Sequence, residues 1–317
     1  MTAAGTVLMV TELQDATANS VIAELHQRGV PVARFNLSDI GPDLVSSAYF
    51  GDGLMAGWLR TSSRSVDLRD VRSLLWRRPV WPEFGHLPDH DAAHAVAQVR
   101  YGLGGVLYGL PGCLYVNHPL RNRDAEYKPL QLDLAQRAGF RVPPTLISND
   151  LAEIREFIGR LGPVIHKALR WTPYYLEDGT GASMWTEPVA TDELDESVIV
   201  ASHLFQAQVP KVADVRVVVV GNQVFPIRID SGLLDWRRDY SALKYSVTDL
   251  PDGMAGALVT YLRDLGLASG SFDLCIDRNG DFYWLELNPN GQWGWLEAET
   301  GLPLAAAFAD LLERGEL

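Results

Sequence analysis

The chain has 317 residues, 47% of them apolar and 21% charged, which fits an ordinary globular protein of two or three domains. Against 27 basic residues stand 40 acidic ones, a formal net charge of −13, so duplex nucleic acid is not an expected partner: backbone binding needs a basic surface. No uncharged apolar stretch is long enough to cross a bilayer, so no membrane partner is expected. Cys113 and Cys275 are too few for a disulfide scaffold and lack metal-ligand spacing, which makes the cytoplasm the expected compartment.

In chain order, "MTAAGTVLMVTELQ" has no basic segment before its apolar run and reads as a first strand, not a signal peptide. With "TANSVIAELHQRGV" and "PVARFNL" it makes a strand, amphipathic helix, strand opening, but the connection "TELQDATAN" has no glycine-rich phosphate loop. That omission disfavours a dinucleotide-dependent oxidoreductase. "YFGDGLMAGWLRT" reads as a hairpin and "VRSLLWRRPV" as a buried strand ending in arginines. A helix from Asp89 to about Leu110, loosened at its glycines, leads to the strand "CLYVNHP", which closes a first α/β domain over residues 1–120. Asn117, before His118-Pro119, reads as a turn former.

The helix "LRNRDAEYKPLQLDLAQRAGF" follows, bent or split at Pro129, then the strand "RVPPTLISND", whose Asn149 or Asp150 caps the helix "LAEIREFIGRLG". "PVIHKAL" is a short buried strand, and "RWTPYYLEDGTGASMWT" a hairpin with glycines at its tip, so that residues 121–200 form a second unit. Residues 201–317 are strand-dense: "SHLFQAQV", "DVRVVVVGNQVFPIRIDSG", the helix "GMAGALVTYLRDLG", a last hairpin, and an amphipathic helix near 303–314.

The last hairpin is "SFDLCIDRNGDFYWLELNPNGQW". Strict alternation puts Phe272, Leu274 and Ile276 on one face, Ser271, Asp273 and Cys275 on the other, and Phe282, Trp284, Glu286 and Asn288 together on one face of the return strand. A turn at Asn279-Gly280 brings Asp273, Glu286 and Asn288 toward one end. Two carboxylates and an amide among apolar neighbours call for a partner, and Mg2+ is the hard cation such oxygens prefer. The alternative is an edge hairpin with its carboxylates in solvent.

Other features gain meaning from their order. Lys128 lies on a helix, where taken alone it is more often a solvated surface residue. Lys167 ends a buried strand, and an ammonium there calls for an anion. A glycine-containing hairpin (Asp178, Gly179, Gly181, Ser183), the extended segment "LFQAQVPK", and the strand arginines Arg216 and Arg228 follow. Each arginine has a local alternative partner, Asp214 or Asp230, and "DWRRDY" reads equally as a charged loop. Trp293 and Trp295 read as packing residues. Two lysines, two arginines and two metal-binding acids are what a triphosphate with Mg2+ needs around it.

With this order, and with "WRRP", "YVNHP", "SMWTEPV", "LFQAQVPKVADVRVVVVG", "RIDSGLLDWRRDY" and "ELNPNGQWGWLE", the sequence resembles the ATP-grasp superfamily, and within it the ribosomal-peptide maturases that make graspetides. The resemblance covers nearly the whole chain. It implies an α/β (α+β) ATP-grasp fold with an N-terminal Rossmann-like pre-ATP-grasp domain, ATP and Mg2+ as cofactors, and a ribosomal precursor peptide (leader plus acidic core) as partner. A homodimer would fit the same family. Lys128 and Lys167 would bind phosphates, with the Asp178–Ser183 hairpin folding over them. Gln206, Gln208 and Val209 would meet the adenine, and Lys211 and Asp214 the adenine or ribose. Asp273, Glu286 and Asn288 would hold Mg2+, while Arg216, Arg228 and Arg237 would face the γ-phosphate or the activated carboxylate. Arg77 and Arg78, which nucleotide binding leaves unexplained, are assigned to the acidic peptide. The implied reaction phosphorylates an Asp or Glu side chain and crosslinks it to Ser/Thr or Lys. The alternatives are an intermolecular ligase adding amino acids to a carboxylate and a non-catalytic peptide- or nucleotide-binding protein.

Overall fold

A computed structural model describes residues 5–51, 53–176 and 178–317. The opening residues 1–4 of the N-terminal reading lie outside the described residues. Elements run β1 (Thr6–Val10), α1 (Ala16–Gln27), β2 (Val32–Phe35), β3 (Leu44–Tyr49), β4 (Ala56–Thr61), β5 (Ser65–Asp67), β6 (Val71–Trp76), α2 (Asp89–Tyr101), α3 (Leu103–Tyr108) and β7 (Leu114–Val116). β2, β1, β6 and β7 form, in that order, a parallel four-stranded sheet. Buried on both faces, its strands are near-continuous apolar runs, and Val7 through Val10 have no exposure at all. Leu8, Ala33 and Leu74 face the small β3–β4–β5 sheet and α2–α3. Val7, Met9 and Leu75 face α1 on the other side.

The chain continues through α4 (Pro119–Ala125), α5 (Lys128–Arg137), β8 (Thr145–Ser148), α6 (Leu151–Leu161), β9 (Val164–Lys167), β10 (Tyr174–Tyr175), β11 (Gly181–Ala182), β12 (Glu187–Pro188) and β13 (His203–Ala207). The break between α4 and α5 falls just before Pro129, which occupies the first turn of α5, where its missing N–H costs nothing. β12, β9, β13 and β8 make an antiparallel sheet with α6 on one face, and Asp150 caps α6 by accepting from Ala152 N and Glu153 N at 2.8 and 3.1 Å.

β14 (Lys211–Val220), β15 (Gln223–Asp230), β16 (Lys244–Val247), α7 (Met254–Asp264), β17 (Ser269–Asp277), β18 (Phe282–Asn288), α8 (Gly294–Thr300) and α9 (Leu304–Arg314) complete the chain. The five-stranded antiparallel sheet has the order β16–β15–β14–β17–β18. Val215, Val217, Phe272, Leu274, Trp284 and Leu287 bury one face against α4, α5 and α7. On the opposite face Val218, Val220 and Ile227 join α8, α9 and the parallel sheet in one core, where Trp293 stacks on Phe308 with 4.8 Å between ring centroids. Among the described residues no helix is long and apolar enough to cross a membrane.

One expectation about the last hairpin is corrected. Asp273 pairs with Glu286 but Leu274 with Trp284, so Leu285 is the extra residue of a β-bulge. The bulge reverses the alternation of β18 beyond that point. Trp284 therefore faces the apolar core with Phe272 and Leu274, while Glu286 and Asn288 keep the face of Asp273.

Candidate active site

The cleft lies between the two antiparallel sheets. Leu204 pairs with Lys167 and Gln206 with Ile165, and directly opposed residues share a face. Lys167, Leu204 and Gln206 thus look away from α6 toward Lys128, Gln131, Trp284, Leu285 and Glu286, which line a small open cleft with them.

On the larger sheet, Arg216, Asp273 and Glu286 form one cross-strand row. Arg216 Nη1 donates to both oxygens of Asp273 at 2.9 and 3.0 Å, and Nη2 donates to the Gln292 carbonyl at 3.2 Å. Asn288 Nδ2 donates to Asp273 Oδ2 at 2.9 Å and lies 3.4 Å from Glu286 Oε1. Lys128 closes the row by pairing with Glu286 Oε2. Burial pushes the Asp273 carboxyl up, against the pull of Arg216. At Glu286 burial acts the same way but is outweighed by Lys128, Arg237 and Lys167, which hold that carboxyl well below the usual range. Burial lowers the Lys167 ammonium; it donates to Gln206 Oε1 at 2.8 Å and, among the described residues, pairs with no carboxylate.

Asp273, Glu286 and Asn288 converge within hydrogen-bond reach, and the Asn288 amide presents Oδ1 instead of Nδ2 after a half-turn. Two carboxylates and an amide oxygen are the donors that a hard cation takes, so the set fits Mg2+. As the cations stand, Arg216 and Lys128 neutralise those carboxylates.

Two residues before Arg216 on the same face, Asp214 is buried and pairs with Lys211, whose ammonium also reaches the Leu234 carbonyl at 2.8 Å. Burial raises the Asp214 carboxyl to about 6 even though Lys211 pulls it down. Arg237 lies in the loop after β15, locked by Asp235 at 2.8 and 2.7 Å, and its charge acts on Glu286 and Asp273. Asp235, itself buried, also accepts from Thr186 N at 3.1 Å and so anchors the strand leaving the Asp178–Ser183 hairpin.

Not all expected residues come together. Arg228 pairs in register with Val215, so it shares the apolar face rather than the face of Arg216, and its guanidinium pairs with Asp230 at 2.8 Å. The signal was in the sequence: a two-residue turn at Gly221-Asn222 sets Arg216 opposite Ile227, which excludes Arg228 from that face. Arg77 is 3% exposed, pairs with Asp15 at 2.8 Å and donates to Gln292 Oε1 at 2.7 Å. It is an internal tie, which corrects its assignment to the peptide. Arg78 beside it is exposed, with a backbone φ of 43°. Gln206 is buried in β13, its Nε2 donating to Thr145 Oγ1 at 2.9 Å. Gln208 N bonds to the Pro163 carbonyl at 2.8 Å, and the Val209 carbonyl accepts from Lys211 N at 2.7 Å. In the exposed hairpin, Asp178 accepts from Thr180 N at 2.8 Å and Gly179 has φ 81°; among the described residues no hydrogen bond joins Asp178, Gly179, Gly181 or Ser183 to the cleft.

Asn117 is more than a turn former. Buried, it donates to Asn122 Oδ1, the Ser269 carbonyl and the Pro289 carbonyl at 3.1, 2.9 and 2.9 Å, and accepts from Ala268 N and Ser269 N. Asp15, Gln131 and Gln292 were equally unforeseen, because uncharged amides and a helix cap carry no periodic signal.

No family model matches the sequence, and no curated protein matches it. Solved structures do. An ATP-grasp ligase from Chryseobacterium gregarium, associated with ribosomally made modified peptides and held in complex with ADP and a leader and core peptide, is 25% identical with a TM-score of 0.89, covering 97% of this chain and 96% of its own. The macrocyclase MdnB from Microcystis aeruginosa MRC is 28% identical at a TM-score of 0.80, covering 97% and 99%. The macrocyclase MdnC of the same organism, bound with its precursor peptide MdnA, shares the fold at 24% identity and a TM-score of 0.86, covering 98% and 99%. Fold and cleft together define an ATP-grasp ligase. Within that class the chain is similar to the ATP-grasp maturases of ribosomal peptides, the microviridin-type macrocyclases among them.

Proposed function

We propose that the chain is an ATP-dependent peptide macrocyclase. A carboxylate oxygen of an Asp or Glu side chain on a ribosomal precursor peptide attacks the γ-phosphorus of ATP, and the bond to ADP breaks. A Ser/Thr hydroxyl or Lys amine of the same peptide then attacks the acyl carbon; phosphate leaves and the nucleophile's proton passes to it or to solvent. Each ring removes one water from the peptide. The observation that carries this reading is the row Arg216–Asp273–Asn288–Glu286–Lys128 facing Lys167 across a cleft, in a chain that aligns over 97% of its length with a ligase holding ADP and a peptide.

Asp273, Glu286 and Asn288 would hold Mg2+, which would supply neutralisation of the charge on the transferred phosphoryl group. Lys128 exchanges Glu286 for a phosphate oxygen, and Lys167, short of an anion, takes another. Arg216 and Arg237 hold the γ-phosphate and the carboxylate being activated. Gln206, Gln208 and Val209 border the adenine, and Lys211 with Asp214 the ribose. The Asp178–Ser183 hairpin covers the phosphates and keeps water from the acyl phosphate. Arg78, outside the cleft with its charge close to Arg216, meets the acidic peptide. Three units act together, residues 1–120, 121–207 and 208–317, the second running past the expected residue 200 because β13 pairs with β8 and β9, and the cytoplasm is the compartment.

The test is the intact mass of an acidic precursor peptide incubated with the protein, ATP and Mg2+. Loss of whole water units without added amino acids supports the reading. Mass gained only with added amino acid makes the chain an intermolecular ligase, and an unchanged peptide with no ADP formed overturns the reading.

A further inference from the structure

We propose that Gln131 is a positioning residue for the metal set, fixing the register of the strand that carries Glu286 and Asn288. The inference rests on the reading of Asp273, Glu286 and Asn288 as metal ligands. β18 is an edge strand, so its outer backbone groups have no strand to pair with. At Leu287 both groups are claimed by one side chain: Leu287 N donates to Gln131 Oε1 at 3.0 Å, and Gln131 Nε2 donates to the Leu287 carbonyl at 2.9 Å. The amide thereby stands in for one rung of a missing strand. Its second hydrogen goes to the Ala125 carbonyl at 2.6 Å, and the residue is 2% exposed, so no donor is left to compete.

Leu287 lies between Glu286 and Asn288, and the bulge at Leu285 lies two residues earlier. A bulge supplies one residue of slack, and a one-residue slip turns every side chain of the strand to the other face. Such a slip would bury Glu286 and Asn288 in the apolar core and put Leu287 in the cleft. The Gln131 amide forbids it by holding both backbone groups of Leu287. Gln131 is also three residues beyond Lys128 on α5, one helical turn, so the helix that fixes the backbone also delivers the cation paired with Glu286.

The test compares Gln131→Met, which keeps the length and loses the bonds, Gln131→Glu, which keeps the acceptor only, and Tyr261→Phe. Tyr261 donates to the Gln131 carbonyl at 2.9 Å, so its loss disturbs the same helix without touching the amide. A fluorescent ATP analogue is titrated with and without Mg2+, and thermal midpoints are read in parallel. Gln131→Met is expected to need about 10- to 100-fold more Mg2+ for half-maximal enhancement of binding, with Gln131→Glu between it and wild type. Metal-free affinity should stay near wild type in both, and Tyr261→Phe should lose stability with its Mg2+ requirement unchanged. A Gln131→Met protein with the wild-type Mg2+ requirement overturns the proposal; if that variant does not fold, a folded Gln131→Glu with the wild-type requirement does so. Wild-type protein whose ATP affinity ignores Mg2+ overturns instead the metal assignment beneath it.

Discussion

At the scale of single residues, the site is an arrangement of charges that neutralise one another until a ligand replaces them. Glu286 is held ionised by three cations, so Glu286→Gln removes a proposed metal ligand and leaves Lys128 facing a neutral amide. Turnover should fall by about 100-fold or more in a protein that still folds, with a lower thermal midpoint because Lys128 loses its partner. Retained activity with normal Mg2+ dependence would sink the metal assignment. Lys167 and Arg78 separate two functions: Lys167→Ala should weaken ATP binding more than Arg78→Ala, and the reverse order in a binding titration would exchange their roles. Asp214 gives a pH signature. Its folded value of about 6 lies above its ordinary 3.8, so the folded protein holds a proton there that the unfolded chain has lost. Its contribution to stability is therefore present below the ordinary value and lost as pH rises through about 6. For binding the sign is opposite under the proposed ribose contact, in which a hydroxyl would donate to the carboxylate. The KM for ATP should rise as pH falls through about 6, and Asp214→Asn should flatten that limb of the profile.

At the scale of elements, the sequence made most strands and helices legible through their periodicity. The turn and the alternation of β17 bring Asp273 and Glu286 to the same end of the hairpin, but that register alone sets Asp273 opposite Leu285, and the bulge puts Glu286 there. What alternation could not show was the bulge, since an extra residue leaves no compositional mark when it is a leucine among apolar neighbours. Arg77 was misread because a buried arginine and a surface arginine look alike until the partner, here Asp15 on another element, is known. α8 escaped notice because its seven residues are too few for a helical period to declare itself. Gly291 follows β18 with a constraint of its own. A Cβ there would sit 2.7 Å from Ser271 Cβ and Oγ and 2.8 Å from Arg216 Nη2. Ser271 Cβ cannot rotate away, so the Gly291 loop or β17 has to shift, and Arg216 with it. Gly291→Ala should therefore lower the thermal midpoint and also reduce kcat by about tenfold or more in the folded fraction, because overpacking strains the backbone and a misplaced charge is costly to catalysis. A thermal midpoint and a kcat both near wild type would mean that the loop absorbs the methyl group without moving Arg216.

At the scale of the whole molecule, the first sheet has no catalytic group of its own, yet it is tied to the site by buried polar contacts. The carboxyl ends of β1 and β6 supply Thr11 and Arg77, and Asp15 lies just before α1; Thr11 bonds to Asp15, Asp15 to Arg77, and Arg77 to Gln292, whose backbone carbonyl accepts from Arg216. Asp15 caps α1 through Ala18 N at 3.0 Å, accepts from Thr11 Oγ1 at 2.8 Å and pairs with Arg77. Burial opposes its ionisation, but Arg77 and these donors keep its carboxyl below the ordinary range. Removing one partner of a buried pair strands the other charge. Arg77→Met should therefore cost about 3–5 kcal/mol in chemical denaturation, more than an exposed pair such as Arg69 with Asp67 could contribute. Asp15→Asn keeps the cap and the shape while removing the charge, so the double variant Asp15→Asn/Arg77→Met should recover part of the loss. Strict additivity of the two single effects would mean that the pair is not coupled. The same double variant separates stability from catalysis: recovered stability without recovered kcat means that Arg77, through Gln292, also holds Arg216 in line with Asp273.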